Sequence, residues 1–147
     1  MNFTLRPARA EDCDWLLALR TATMREYVEQ TWGFWDEAAQ RARFHDPLER
    51  ANMHVIVAGG RDAGLLHVER NAGGVFLANI QIEPDLQNRG LGTAVIRRLL
   101  AEAQASGAPV RLEVLTVNRA ARELYERLGF VVSAETETLT GMIWRPA

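Results

Sequence analysis

A chain of 147 residues with a formal net charge of −2, 48% hydrophobic and 24% charged residues is one domain's worth of ordinary globular composition. That balance argues against a broad nucleic-acid surface, and no apolar run approaches the length needed to span a bilayer. The single cysteine, Cys13, excludes an internal disulfide and a thiolate metal cluster.

Met1 leads directly into Phe3-Thr4-Leu5 without a basic start or an apolar leader, so a single cytoplasmic domain over residues 1–147 is expected. Residues 3–7 read as a first strand. An amphipathic stretch over residues 11–30 follows, in which Leu16, Leu19, Thr23 and Tyr27 recur at helical spacing. Trp32-Gly33-Phe34-Trp35 interrupts it, and Asp36 then has the position of an N-cap for a second helix through Phe44. Tyr27, Trp32, Phe34 and Trp35 lie among Glu26, Asp36 and Glu37. Aromatic and acidic groups together suit a cationic amine on an apolar body, which makes Tyr27, Trp32 and Trp35 candidate acceptor-binding residues. The same letters also suit the packing of a helix-loop-helix core.

Residues 53–58 form a strand rich in β-branched side chains, closed by the turn Gly59-Gly60-Arg61-Asp62. A hairpin partner over residues 64–70 and a turn over 71–74 lead to a central strand over 75–82. His45, His54 and His67 show no H-x-x-x-H spacing. No metal site is expected, and Cys13, with no histidine nearby in sequence, is not expected to act as a nucleophile.

The segment Ile80-Gln81-Ile82-Glu83-Pro84-Asp85-Leu86-Gln87-Asn88-Arg89-Gly90-Leu91-Gly92-Thr93 carries the most information. A strand ends at a proline, turns through two glycines and runs into a helix, aiming free backbone N–H groups and the positive end of a helix dipole at one place. That is an anion site suited to phosphate. A mononucleotide P-loop would need a lysine, and all 17 of the chain's Lys+Arg residues are arginine. A dinucleotide fingerprint would need a third glycine or an alanine at position 95, where valine stands. The helix so opened places Leu91, Val95, Leu99 and Ala103 on one face. Residues 110–115 are a further strand, Asn118 caps a short helix that Gly129 ends, and residues 130–134 and 140–144 complete a mixed sheet.

Gln87-x-x-Gly90-x-Gly92 after a strand, followed by Val117-Asn118-Arg119-Ala120-Ala121-Arg122-Glu123-Leu124-Tyr125-Glu126-Arg127-Leu128-Gly129-Phe130, resembles the two signatures of the GNAT superfamily of N-acetyltransferases. The resemblance covers roughly residues 75–132. It implies an α/β fold with a mixed sheet of six to seven strands and about four helices, in the order β-α-α-β-β-β-α-β-α-β-β.

It further implies acetyl-coenzyme A as acyl donor. Backbone N–H groups from Gln87, Asn88, Arg89, Gly90, Leu91, Gly92 and Thr93 would hold its pyrophosphate, and the strand backbone at Ile80, Gln81 and Ile82 would pair with the pantetheine arm. Asn118 would contact the cofactor and Tyr125 would protonate the leaving thiolate. Glu113, five residues before Asn118, matches a position that carries the catalytic glutamate in the similar ribosomal-protein N-acetyltransferases. Strand alternation turns Arg111, Glu113 and Leu115 away from Leu112 and Val114, and Glu83 and Glu69 are the other candidate bases.

The expected reaction is direct acetyl transfer to a primary amine in a ternary complex, with a small molecule or a peptide as acceptor. Another acyl-CoA donor and a non-catalytic coenzyme-A sensor are the alternatives. A homodimer is an open option, and neither nucleic acid nor membrane is expected as a partner.

Overall fold

The computed structural model describes residues 2–147. Their Cα packing divides them into two compact units, one running to His67 and including Asn79–Gly92, the other made of Val68–Ala78 and Thr93–Ala147. Seven strands form one sheet in the order β1-β2-β3-β4-β5-β7-β6, so β4 is central.

In the first unit, β1 (Thr4–Pro7) pairs antiparallel with β2 (Met53–Ala58), which pairs in turn with β3 (Arg61–Asn71). Gly59 and Gly60 both adopt left-handed φ (62° and 73°), so the hairpin turns in two residues and Arg61 and Asp62 already pair with Ala58 and Val57. The expected turn over 59–62 is therefore shorter, and the strand starts earlier. A 3-10 turn (Ala10–Asp12) leads into α1 (Cys13–Trp32), which ends at Gly33 with φ 87°. Asp36 caps α2 (Glu37–His45) by accepting from Ala39 N at 3.0 Å. A single helical turn, α3 (Pro47–Arg50), was not expected. Asp46 caps it through Leu48 N, with Pro47 at its first position. The core of this unit joins Cys13, Leu16, Leu17 and Leu19 of α1 to Phe44, Met53 and Leu65. Arg6 binds Asp12 through two bonds of 2.9 Å, and Asp12 also accepts from Arg9 N at 2.8 Å, fixing the entry to α1.

The central strand β4 (Gly74–Ile82) and the helix α4 (Leu91–Ser106) contribute to both units. In the second unit β4 pairs parallel with β5 (Val110–Leu115) over three positions, Val75 to Leu77 against Val110 to Leu112. β5 then pairs antiparallel along its whole length with β7 (Leu139–Trp144). α5 (Arg119–Arg127) lies between β5 and β6 (Val131–Glu135) in sequence, and Gly129, with φ 100°, follows its end. β6 is the outer strand, exposed at all five residues, and its register slips between Val132 and Ala134. Leu91, Val95, Leu99 and Ala103, the 3.6-residue face read from the sequence, are all buried in α4, and Ile96 is buried with them.

Candidate cofactor and catalytic site

The chain leaving β4 makes a 3-10 turn at Pro84–Leu86 and then a tight reversal into α4. Asn88 (φ 61°) and Gly90 (φ 85°) are both left-handed, and Asn88 is the only non-glycine described residue with positive φ. Alternating left-handed residues fold successive N–H groups toward one side, making a concave nest for an anion. Gln87 N donates to Pro84 O at 3.4 Å and Gln87 Nε2 to Ile82 O at 3.0 Å, so the backbone N–H of Gln87 serves the turn itself. The unused row therefore begins one residue later: among the described residues, the N–H groups of Asn88, Arg89 and Gly90 donate to no protein acceptor. Leu91, Gly92 and Thr93 add first-turn N–H groups of α4. Gln87, Asn88, Arg89 and Gly90 are exposed, and Arg89 makes no hydrogen bond or ion pair to a described residue.

The two glycines differ. Gly90 needs its left-handed φ, and a Cβ there would meet nothing within 4 Å. Gly92 has no such φ, and its nearest neighbour would be Ile82 Cγ1 at 3.7 Å, an ordinary contact. Nothing within the protein requires glycine at 92, where an early helical position would favour alanine.

In the second unit, α5 presents Asn118 and Tyr125. Asn118 is the N-cap, its Oδ1 accepting from Ala121 N at 3.2 Å, which leaves its amide N–H groups without an acceptor among the described residues. Tyr125 is buried, its ring edge-on to Phe130 with centroids 5.5 Å apart. Burial pushes its phenol up to about 12. The hydroxyl makes no hydrogen bond to a described residue and is not among the sealed, unsatisfied atoms, so its tip meets solvent. Glu113 is exposed on β5 opposite Gly141, which has no side chain to cover it, and it forms no hydrogen bond or ion pair with a described residue. Leu115, the last residue of β5, pairs with Leu139 and is buried, unlike Arg111 and Glu113.

Of the other candidate bases, Glu83 accepts from Trp15 Nε1 at 2.9 Å, and Glu69 is exposed. Ile80 and Ile82 are half-buried and Gln81 is buried. Tyr27 and Trp35 are half-buried and Trp32 is half exposed. Trp35 Nε1 is buried without a partner, a donor left open. Cys13 is buried and donates its thiol hydrogen to Phe44 O at 3.0 Å, the setting of a structural thiol. Among the histidines, His67 is buried 3.8 Å from Glu49, whereas His45 is exposed.

One group escaped the sequence reading. Arg20 is buried on the same face of α1 as Leu16, bonded to Gln40 and Asn79. The signal was there, because i and i+4 share a helical face and Leu16 is an inward residue.

The family model described as the Acetyltransferase (GNAT) family matches residues 16–130. The chain belongs to the GNAT family. Within it, the ribosomal protein bS18-alanine N-acetyltransferase of Escherichia coli K12 is 47% identical over 55 residues, which are 37% of this chain and 37% of that protein. An uncharacterized N-acetyltransferase of Methanocaldococcus jannaschii, MJ1207, is 27% identical over 97% of this chain and 65% of its own length. Among solved structures, the PaiA N-acetyltransferase of Thermoplasma acidophilum in complex with coenzyme A superimposes with a TM-score of 0.74 at 17% identity, covering 99% of both chains. The E. coli ribosomal-protein-S18-alanine N-acetyltransferase gives 0.67 at 24% identity, over 99% of this chain and 95% of that one. At such identities the likeness establishes the fold: the seven-stranded mixed sheet with its five helices is GNAT-like.

Proposed function

We propose that this GNAT chain moves the acetyl group of acetyl-coenzyme A to a primary amine by direct attack in a ternary complex. The observation that carries the reading is the row of unused N–H groups from Asn88 to Gly90 running into the first turn of α4. Such a row of solvent-facing donors is complementary to a pyrophosphate. Gly92 supports it, since close approach of a ligand is the remaining reason for a residue without a Cβ there. Arg89 adds a cation beside the nest, and the pantetheine arm lies along Ile80, Gln81 and Ile82 of β4 in the manner of an added strand.

The chemistry then divides among few groups. An α-amine near pKa 8 is about a tenth neutral at pH 7, whereas a lysine-type amine near 10.4 is neutral in only about one molecule in 2,500. Glu113, open to solvent and unpaired, takes the ammonium proton directly or through a water. The neutral nitrogen attacks the thioester carbon, a β4 N–H receives the developing oxyanion, and the C–S bond breaks. A second nitrogen proton ends on the sulfur, giving amide and free coenzyme A thiol. Tyr125 stays a phenol throughout. With its pKa near 12 against about 8.5 for a thiol, full transfer would run uphill by about 3.5 units, or ~5 kcal/mol, so its role is to donate a hydrogen bond to the departing thiolate.

The test is calorimetric titration with coenzyme A, followed by thiol release from acetyl-coenzyme A across amino acids, polyamines and peptides with free N-termini. Binding with turnover of at least one amine is expected. Binding without turnover of any amine would leave a sensor, and turnover only with a longer acyl-CoA would change the donor.

A further inference from the structure

Arg20 is a buried cation without a counter-charge. It is 9% exposed, and its Nε donates to Gln40 Oε1 at 2.7 Å and its Nη1 to Asn79 Oδ1 at 2.6 Å. Both partners are neutral amides. The charge that acts on it is another cation, Arg43 of α2, and neither arginine forms an ion pair with a described residue. Arg6, Arg61 and Arg122, by contrast, each meet a carboxylate, at 2.9, 2.9 and 2.6 Å. Burial, reinforced by Arg43, pulls Arg20 down to about 10, and it remains charged at neutral pH.

A guanidinium offers five N–H donors, and two bonds are made here. A buried charge of this kind is costly unless something pairs with it, and an apolar residue would fill the same space at less cost. The bonds to Gln40 and Asn79 fix the orientation of the fork without neutralising it.

The network also contains an open acceptor. Gln81 is 5% exposed, its Nε2 donates to Asn79 Oδ1 at 3.3 Å, and its Oε1 is buried without a donor. Flipping the amide would set two oxygens against each other, because Asn79 Oδ1 is held by Arg20. Linked through Asn79, then, are an unpaired cation and an unfilled acceptor. An amino acid offers the complementary pair, a carboxylate and an N–H, on one carbon. Asn79 directly precedes Ile80, where the proposed pantetheine path begins.

We propose that Arg20, oriented by Gln40 and Asn79, binds a carboxylate of the acyl acceptor, so that the acceptor is an amino acid or similar amine with a carboxylate close to its nitrogen. A protein N-terminus, whose neighbouring carbonyl is a neutral amide, lacks that group. The inference rests on the amine-acyltransferase reading above.

Its test uses the product side, where binding needs no turnover. The N-acetyl derivatives of alanine, leucine, phenylalanine and glutamate are titrated calorimetrically into the full chain, each against its own carboxamide. At least one carboxylate should bind about tenfold or more tightly than its carboxamide. Gln40→Glu places an internal carboxylate against Nε and should abolish that preference while the melting temperature holds or rises. Arg20→Gln should abolish it too, and the Gln40 variant decides the matter if Arg20→Gln does not fold. In steady state with acetyl-coenzyme A, the same preference should appear in KM for the free amino acids over their amides. If no pair is distinguished by the parent, or if Gln40→Glu keeps the preference, the carboxylate assignment is overturned. Turnover of no amine at all would instead sink the transferase reading, and the binding comparison would still decide the role of Arg20.

Discussion

Replacing each glycine of the anion nest with alanine separates a structural requirement from a ligand requirement. At Gly90 the φ of 85° is left-handed, so alanine there costs about 1–2 kcal/mol even though no atom lies within 4 Å of the new Cβ. At Gly92 the backbone is unstrained, and the new Cβ meets only Ile82 Cγ1 at 3.7 Å. Alanine there should stabilise the free protein by about 0.5–1 kcal/mol through helix propensity. For a chain of this size about 1 kcal/mol corresponds to roughly 2–4 °C in Tm. Scanning calorimetry should therefore show Gly90→Ala melting lower and Gly92→Ala melting slightly higher than the parent. Coenzyme A titration should show both binding at least about tenfold more weakly, a loss of about 1.4 kcal/mol. A Gly92→Ala protein that is more stable and binds coenzyme A as tightly as the parent would refute the cradle, because the only reason left for that glycine would be gone.

Glu113→Gln should lower turnover about 10²–10⁴-fold with coenzyme A affinity nearly intact, and raising the pH should recover part of the rate as more amine arrives neutral. Tyr125→Phe should lose rate without alkaline recovery, and it should remove from the absorbance titration the phenol that ionises near pH 12. Cys13→Ala should keep its rate and sequential kinetics, since direct attack needs no acyl-enzyme and the thiol is sealed against Phe44 O. Mass spectrometry after incubation with donor alone should find no acetylated side chain, a clean readout in a sequence without lysine. Asp12→Asn should cost about 1.5–3 kcal/mol at neutral pH in denaturant unfolding. Arg6 holds the folded Asp12 carboxyl below its unfolded value near 3.9, so the stabilisation is present above that value and disappears as the pH falls through the lower folded pKa. The gap between variant and parent should close in acid.

The second half of the chain was legible because its signals are local. The proline, the turn glycines, the Asn118 cap and Gly129 act through their own backbone geometry, and the structure puts β5 at Val110–Leu115, as read. What was missed depends on tertiary context. A single turn such as Pro47–Arg50 is too short for a 3.6-residue period to show. The hairpin at Gly59-Gly60 looked longer because Arg61 and Asp62 are polar, although two left-handed glycines suffice to reverse the chain. Arg20 was hidden by its own chemistry, since a charged residue in an amphipathic helix is ordinarily a solvent residue, and only the partners at Gln40 and Asn79 show otherwise. The nest was visible as a pattern, but the difference between Gly90 and Gly92 was not, because it lies in a dihedral angle.

The slipped register of β6 has a colloidal consequence. An outer strand whose residues are all exposed, with Val131 at 58% and Val132 at 37%, offers a ready template for another chain. The slip leaves Ser133 outside the pairing between Val132–Met142 and Ala134–Gly141, and it kinks the strand where a straight neighbour would have to lie flat. Removing Ser133 would regularise the ladder and, with it, the free edge. A tidier sheet would here be a stickier one, so the irregularity guards solubility at high concentration.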